Sequence, residues 1–356
     1  MFFSPLVTLC FAAAAVAGPH KRADSLSVVV SGPSSSVSSV TDLLLTAAVT
    51  NNGAEDIKVL KYGTVLDSEL PTRSFTVTRN GTVVSFMGVK LSVSLTDADE
   101  SAFVTIPAGK TVTAVHDVSA LFDFASVGTG AFSFAPVTTF QTAPTAAKIS
   151  SRAELTTIEA AAAPITIAVT ADVAPQSLAR RATDICTNAS RKAFIDASYT
   201  EAKALARGGS SYISSKGTSD TLYRAYWGAL AASRVTNVLN AVANENSASR
   251  TLSCTDALGA CSSGVIAYTV ISTTNIYFCG IFFNEVASSR LCSGTSVDSR
   301  NIRGGTTLHE ITHAVADTDD VTYGCAADQA LSDANALKNA DNYNCFTTQV
   351  YANTVC

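Results

Sequence analysis

His309 and His313 stand four residues apart with Glu310 beside the first of them, in Leu308-His309-Glu310-Ile311-Thr312-His313. On a helix of about 3.6 residues per turn, positions i and i+4 share a face, so both imidazoles can reach one metal ion. Glu310 is then turned toward a water at that ion and can take its proton. Two imidazoles and a carboxylate base are what activation of water against a peptide carbonyl requires, with one Zn2+ per catalytic domain as the expected cofactor. A second local reading is a helix start, because Thr307-Leu308-His309-Glu310 has the spacing of a capping box in which Glu310 bonds back to the backbone. That reading leaves the histidine pair without a role.

The third ligand must come from elsewhere. The chain has four histidines, and His20 and His116 fall in segments expected to be removed. No glutamate follows Glu310, so the candidates are Asp317, Asp319, Asp320, Asp328, Asp333 and Asp341. Carboxylate oxygen is an accepted zinc ligand beside two imidazoles. Asp341, in Asn339-Ala340-Asp341-Asn342-Tyr343, follows at a distance that can bring a second helix back over the metal.

Thr318-Asp319-Asp320-Val321-Thr322-Tyr323-Gly324 resembles the G-T-x-D-x-x-Y-G signature of the deuterolysins, aspartate-ligated zinc endopeptidases secreted by fungi. The resemblance covers roughly residues 182 to 356. It departs at the family's first glycine, which is Asp317 here, and in a shorter stretch between His313 and the signature. The resemblance implies Asp320 as the third ligand, with Asp341 the main rival and Asp319 a rival by adjacency. It also implies Tyr323 as the donor that stabilises the carbonyl oxygen as charge develops on it.

Eight of the nine cysteines lie after residue 185: Cys186, Cys254, Cys261, Cys279, Cys292, Cys325, Cys345 and Cys356. An even number in an exported region reads as a disulfide framework, whose pairing spacing alone cannot choose. No C-x-x-C pair supports a structural zinc site instead. Resemblance to the deuterolysins implies Cys186 with Cys254, Cys261 with Cys279 and Cys292 with Cys356, leaving Cys325 with Cys345 as a further bridge.

Met1 to Gly18 has the apolar run and the small-residue Ala15-Val16-Ala17 pattern of a signal peptide, though its start lacks Lys or Arg. The paired basics Lys21-Arg22 and Arg180-Arg181 bracket the cysteine-free region, and cleavage between Arg181 and Ala182 would free a domain starting just before the first disulfide cysteine. The expected organisation is a signal peptide over 1–18, a β-rich propeptide over 19–181 and a zinc metallopeptidase domain over 182–356. A formal net charge of −5 without a basic run argues against nucleic acid. No uninterrupted apolar stretch is long enough to anchor the chain in a membrane.

Residues 24 to 145 alternate apolar and polar in short runs such as Ser25 to Val30, Leu43 to Val49 and Lys90 to Leu95, with Asn51-Asn52-Gly53 and Asn80-Gly81 as turns. This predicts a β-sandwich, followed by a Pro/Ala-rich connection over 143–176. Helical spacing is predicted over 190–206 and 220–244, and strands over 265–272 and 275–283. Asn275 to Gly280 is the expected edge strand beside the active-site helix, placed to pair with extended substrate. Gly304 and Gly305 are expected to break the chain before that helix, with Thr306 or Thr307 as its cap. Asn80 and Asn188 head glycosylation sequons.

The fold class expected is α+β, a β-sandwich-like propeptide followed by a mainly helical, zincin-type domain with a small sheet. The expected function is a secreted, monomeric zinc endopeptidase made as a proenzyme, acting on proteins or peptides and partnered by its own propeptide. A lysine-directed relative of the same family is one alternative. A secreted disulfide-rich binding protein with an inert H-E-x-x-H is the other.

Overall fold

A computed structural model of the chain describes residues 25–151, 154–174 and 186–356. The signal segment, Lys21-Arg22 and the Arg181-Ala182 bond lie outside the described residues. The architecture is mixed α and β, with strands concentrated before residue 174 and helices after residue 188. No helix of the described residues is long and apolar enough to cross a membrane.

The N-terminal part folds into three sheets around one core. One sheet runs 161–162, 26–31, 44–51, 111–117; a second runs 36–39, 165–172, 130–136, 75–79, 82–83; the third runs 156–159, 139–144, 57–60, 103–106. Their inward residues, among them Leu45, Val59, Phe75, Phe132, Phe134 and Phe140, form a single buried cluster. Alternation decides this, because successive side chains of a strand point to opposite faces. The expected Pro/Ala-rich connection is instead partly strand. Ile165–Asp172 pairs antiparallel with Gly130–Pro136 and buries Ile167 and Val169. Its apolar-polar alternation outweighs an alanine-rich composition.

One strand leaves that body. β1 (Val89–Val93) joins a sheet made otherwise of β2 (Leu252–Ser253), β3 (Val265–Val270) and β4 (Asn275–Phe278), in the order β2-β4-β3-β1. All five β1 residues are buried, the pattern of a strand covered on both faces. β1 and β3 are antiparallel, with Leu91 opposite Tyr268 and Lys90 opposite Thr269. The expected edge strand, β4, is therefore interior, and β3 is the C-terminal part's own edge.

The helical part is built on α1 (Ala189–Lys216), α2 (Ala232–Ala243), α3 (Arg303–Ala316) and α4 (Ala340–Thr354). Asn188 caps α1 by accepting from Arg191 N, and α1 runs ten residues past its predicted end. The single helix predicted over 220–244 is two, Thr221–Trp227 and α2, because Gly228 adopts φ 54 and breaks the run. Trp227, Tyr226, Leu239, Leu308, Tyr343 and Phe346 form the core on which α1, α3 and α4 pack.

Four disulfides tie this part together: Cys186–Cys254, Cys261–Cys279, Cys292–Cys356 and Cys325–Cys345. The last joins the segment just after Gly324 to α4, and so pins the loop that carries Asp320 and Tyr323. The double substitution Cys325→Ser, Cys345→Ser is expected to lower stability by roughly 2–4 kcal/mol in a denaturant titration. An unchanged midpoint would mean that the loop's polar contacts to α4 hold it unaided.

Candidate active site and metal centre

α3 carries His309, Glu310 and His313, and it starts earlier than the glycines suggested. The helix begins at Arg303 and passes through Gly304 and Gly305 with Ile302 as an N-cap that makes no side-chain bond. Glycine inside a helix costs about 1 kcal/mol against alanine, so another interaction must require it here. A Cβ at Gly304 would lie 2.7 Å from the Glu201 Cβ of α1, and one at Gly305 would collide with Asn344 of α4. The glycines let α1 and α4 clamp the start of the active helix. Glu310 sits in its third turn, so the capping-box reading fails. Arg303 fixes the same end by pairing with Glu201 at 2.6 Å.

His309 Nε2 and His313 Nε2 lie 3.2 Å apart, and Asp320 Oδ1 is 3.0 Å from the first and 3.3 Å from the second. These atoms are the edges of one small triangle. Tetrahedral zinc with ligands at about 2.0–2.1 Å needs donor separations of roughly 3.3–3.4 Å, so the triad fits that ion. His313 Nδ1 lies 2.6 Å from the Thr318 carbonyl, which fixes its proton there and leaves Nε2 a lone pair aimed at the triangle. Burial presses His313 toward its neutral, ligating form. Burial also disfavours charge on Asp320, but the two imidazoles outweigh it and hold the carboxyl well below the usual carboxylate range. For His309, burial is outweighed by the carboxylates of Asp320 and Asp341, which push it up to about 10.

The other aspartates face elsewhere. Asp319 Oδ1 lies 3.2 Å from Arg73 and 3.1 Å from Lys90, both in the N-terminal part. Asp341 is fully buried on α4, 2.7 Å from Arg300 Nη2 and 3.7 Å from His309 Nδ1, and it accepts from Gly324 N at 2.6 Å. It touches the far side of the His309 ring, away from the triangle. Asp328 bonds Asn339, and Asp333 accepts from Ala229 N.

The signature loop is held from the turn just before α4, at Lys338 and Asn339. Asn339 Oδ1 accepts from Val321 N and Thr322 N at 2.9 and 3.1 Å, and Asp319 N donates to the Lys338 carbonyl at 2.6 Å. Asp317, where the family has glycine, ends α3 with φ 50 and ψ 36, the left-handed conformation. Glycine takes that conformation freely and aspartate tolerates it, so the turn survives the exchange.

Glu310 is fully buried, and its Oε2 accepts from Thr269 Oγ1 of β3 at 2.6 Å. Desolvation pushes its carboxyl up to about 8, against the pull of His309. Tyr323 stacks on His309 at 5.9 Å between ring centroids, lies under the Arg300 guanidinium, and donates its hydroxyl to the Leu91 carbonyl of β1. A cleft of about 620 Å³ lies alongside, lined by Lys90, Leu91, Asp319, Asp320 and Tyr323 among others. Thr269, Arg300, Asn339 and Lys90 escaped the sequence reading. They approach from other elements, and only the proximity of Asn339 to Asp341 offered a hint.

A triangle of donors that suits one cation, a buried glutamate beside it and a sheet edge within reach are what hydrolysis of an extended peptide requires, and the class so defined is the metalloproteases. Sequence comparison supplies the family. Residues 3–355 match the profile of the deuterolysin metalloprotease (M35) family, to which this chain belongs. It is 32% identical over 322 residues to a neutral protease 2 homolog of Phaeosphaeria nodorum, covering 86% of this chain and 88% of that one. It is 29% identical over 359 residues to the peptidyl-Lys metalloendopeptidase of Armillaria mellea, covering 96% and 95%. A solved zinc peptidase from Grifola frondosa aligns with 46% of the chain and 96% of its own at 24% identity and a TM-score of 0.37. The chain is a zinc metalloendopeptidase.

Proposed function

We propose that the enzyme is secreted as a proenzyme and that His309, His313 and Asp320 hold its zinc ion, with Glu310 as general base and Tyr323 as the carbonyl-oxygen donor. The observation that carries the reading is the triangle of ligand atoms on one side of a buried glutamate. When bound, zinc supplies Lewis acidity that acidifies water and polarises a carbonyl. Glu310 takes the proton of the attacking water and returns it to the departing amine. Thr269 fixes one oxygen of that carboxylate, which leaves the other free to meet the water. Tyr323 hydrogen-bonds the carbonyl oxygen as it gains charge, and its stacking on His309 keeps the hydroxyl aimed. Asp341 and Arg300 orient His309 from behind.

The β-rich part, whose three sheets share one core, is the propeptide of this reading, and a cut after Arg181 releases residues 182–356. Four disulfides suit an oxidising, extracellular setting. A second reading, a lysine-directed endopeptidase, is favoured by the way Asp317 and Asp319 surround Lys90 in the cleft. Two measurements test these readings: zinc per mole of the cleaved chain, and the bonds it cuts in a peptide library. One zinc per chain and internal cleavage support an endopeptidase. Cuts confined to bonds next to lysine select the second reading, and a cleaved chain that binds no zinc overturns the assignment of His309, His313 and Asp320 as its ligands.

A further inference from the structure

β1 sits where a substrate strand would. β3 is the edge nearest α3, and extended peptides bind such edges through backbone hydrogen bonds. Here that edge is already taken, antiparallel, by residues 89–93. The contacts continue into the site itself. Leu91 N donates to Asp320 Oδ2 at 3.0 Å, and the Leu91 carbonyl accepts from Tyr323, the hydroxyl assigned above to a substrate carbonyl. Beside it Lys90, only 5% exposed, places Nζ 2.6 Å from Asp317 Oδ1, 2.7 Å from the Thr318 carbonyl, 3.2 Å from the Asp317 carbonyl and 3.1 Å from Asp319 Oδ1. Arg73–Asp319 and Tyr62 Oη to the Ser263 carbonyl hold the flanks.

We propose that residues 89–93 are the inhibitory segment of this chain: they close the peptidase by occupying the substrate's place on β3, and Lys90 is the clasp that holds them there. The proposal rests on the peptidase reading above and adds how the site is kept shut. A buried ammonium is tolerable only while its acceptors stay in place, so Lys90 binds all four or leaves the pocket altogether. The clasp is non-covalent. A cut near residue 181 therefore leaves the segment seated, and activity waits on its dissociation from β3.

The test uses the full chain with Arg181→Ala, which removes the paired basic site, and the same chain carrying Lys90→Ala or Lys90→Met. Hydrolysis of an unstructured peptide is compared with that of the cleaved chain, and hydrogen exchange is followed at the β3 amides, with α1 amides reporting the fold. The uncleaved chain is expected to be about 100-fold or more slower than the cleaved one. Either Lys90 substitution should recover about tenfold and speed exchange in β3 while α1 stays protected. An uncleaved chain as active as the cleaved one overturns the proposal, as do Lys90 variants that stay slow with β3 fully protected. If no form hydrolyses peptide, exchange at β3 still decides the clasp, and the peptidase reading alone falls.

Discussion

Glu310→Gln is expected to leave zinc stoichiometric and to lower kcat/KM by about 10²–10⁴-fold, the range over which a positioned acid-base group contributes. The amide fills the same space and can keep its bond to Thr269, whose hydroxyl lies 2.6 Å from Oε2. It has no lone-pair base able to take a proton from water. The three donor atoms of the triangle, proposed to hold the metal, belong to other residues, so metal content should not change. Zinc content by elemental analysis and hydrolysis of a peptide, measured on the same cleaved sample, check both halves. A variant that keeps a tenth or more of the activity would remove Glu310 from the proton-transfer role, whereas simultaneous loss of zinc would make it a support of the metal site.

Asp320→Ala is expected to weaken zinc binding on the order of 10³-fold, since in the proposed site it takes away one of three protein ligands. Asp341→Asn should cost about 10–100-fold, the usual effect of a residue that orients a ligating histidine. The order of the two follows from position: Asp320 Oδ1 lies 3.0 and 3.3 Å from the two Nε2 atoms, while Asp341 meets only Nδ1, at 3.7 Å, and is already committed to Arg300 and Gly324 N. Competition with a chromogenic chelator gives both affinities. If Asp341→Asn proves the more damaging, the third ligand passes to Asp341, and the signature aspartate becomes an anchor of β1 through its bond to Leu91 N.

Local regularities made several features legible. A helix places residues four apart on one face, so His309 and His313 were read together, and Glu310 with them, from spacing alone. Alternation exposed several N-terminal strands, among them 26–31 and 44–51, because burial on one face of a sheet imposes a period of two. Composition misled for the connection after residue 143, where the alternation of Ile165–Asp172 marks a strand. Glycine misled in both directions: Gly228 breaks a run predicted as one helix, while Gly304 and Gly305, expected to break the chain, sit inside a helix, because the need for them is the approach of α1 and α4, which no local window contains.

The choice among aspartates was not local either. Asp319, Asp320 and Asp341 are chemically equal in the sequence, and resemblance ranked them only by position in a motif. What separates them is the turn at Asp317, the grip of Asn339 on Val321 and Thr322, and the burial of Asp341 against Arg300. The register of β1 on β3 was still further from reach, since it pairs segments about 175 residues apart and depends on the whole N-terminal body standing beside the cleft. Spacing along a helix fixes which side chains share a face. Which long-range partners fill the remaining corners of a site is decided by packing, where the chain's distant parts meet.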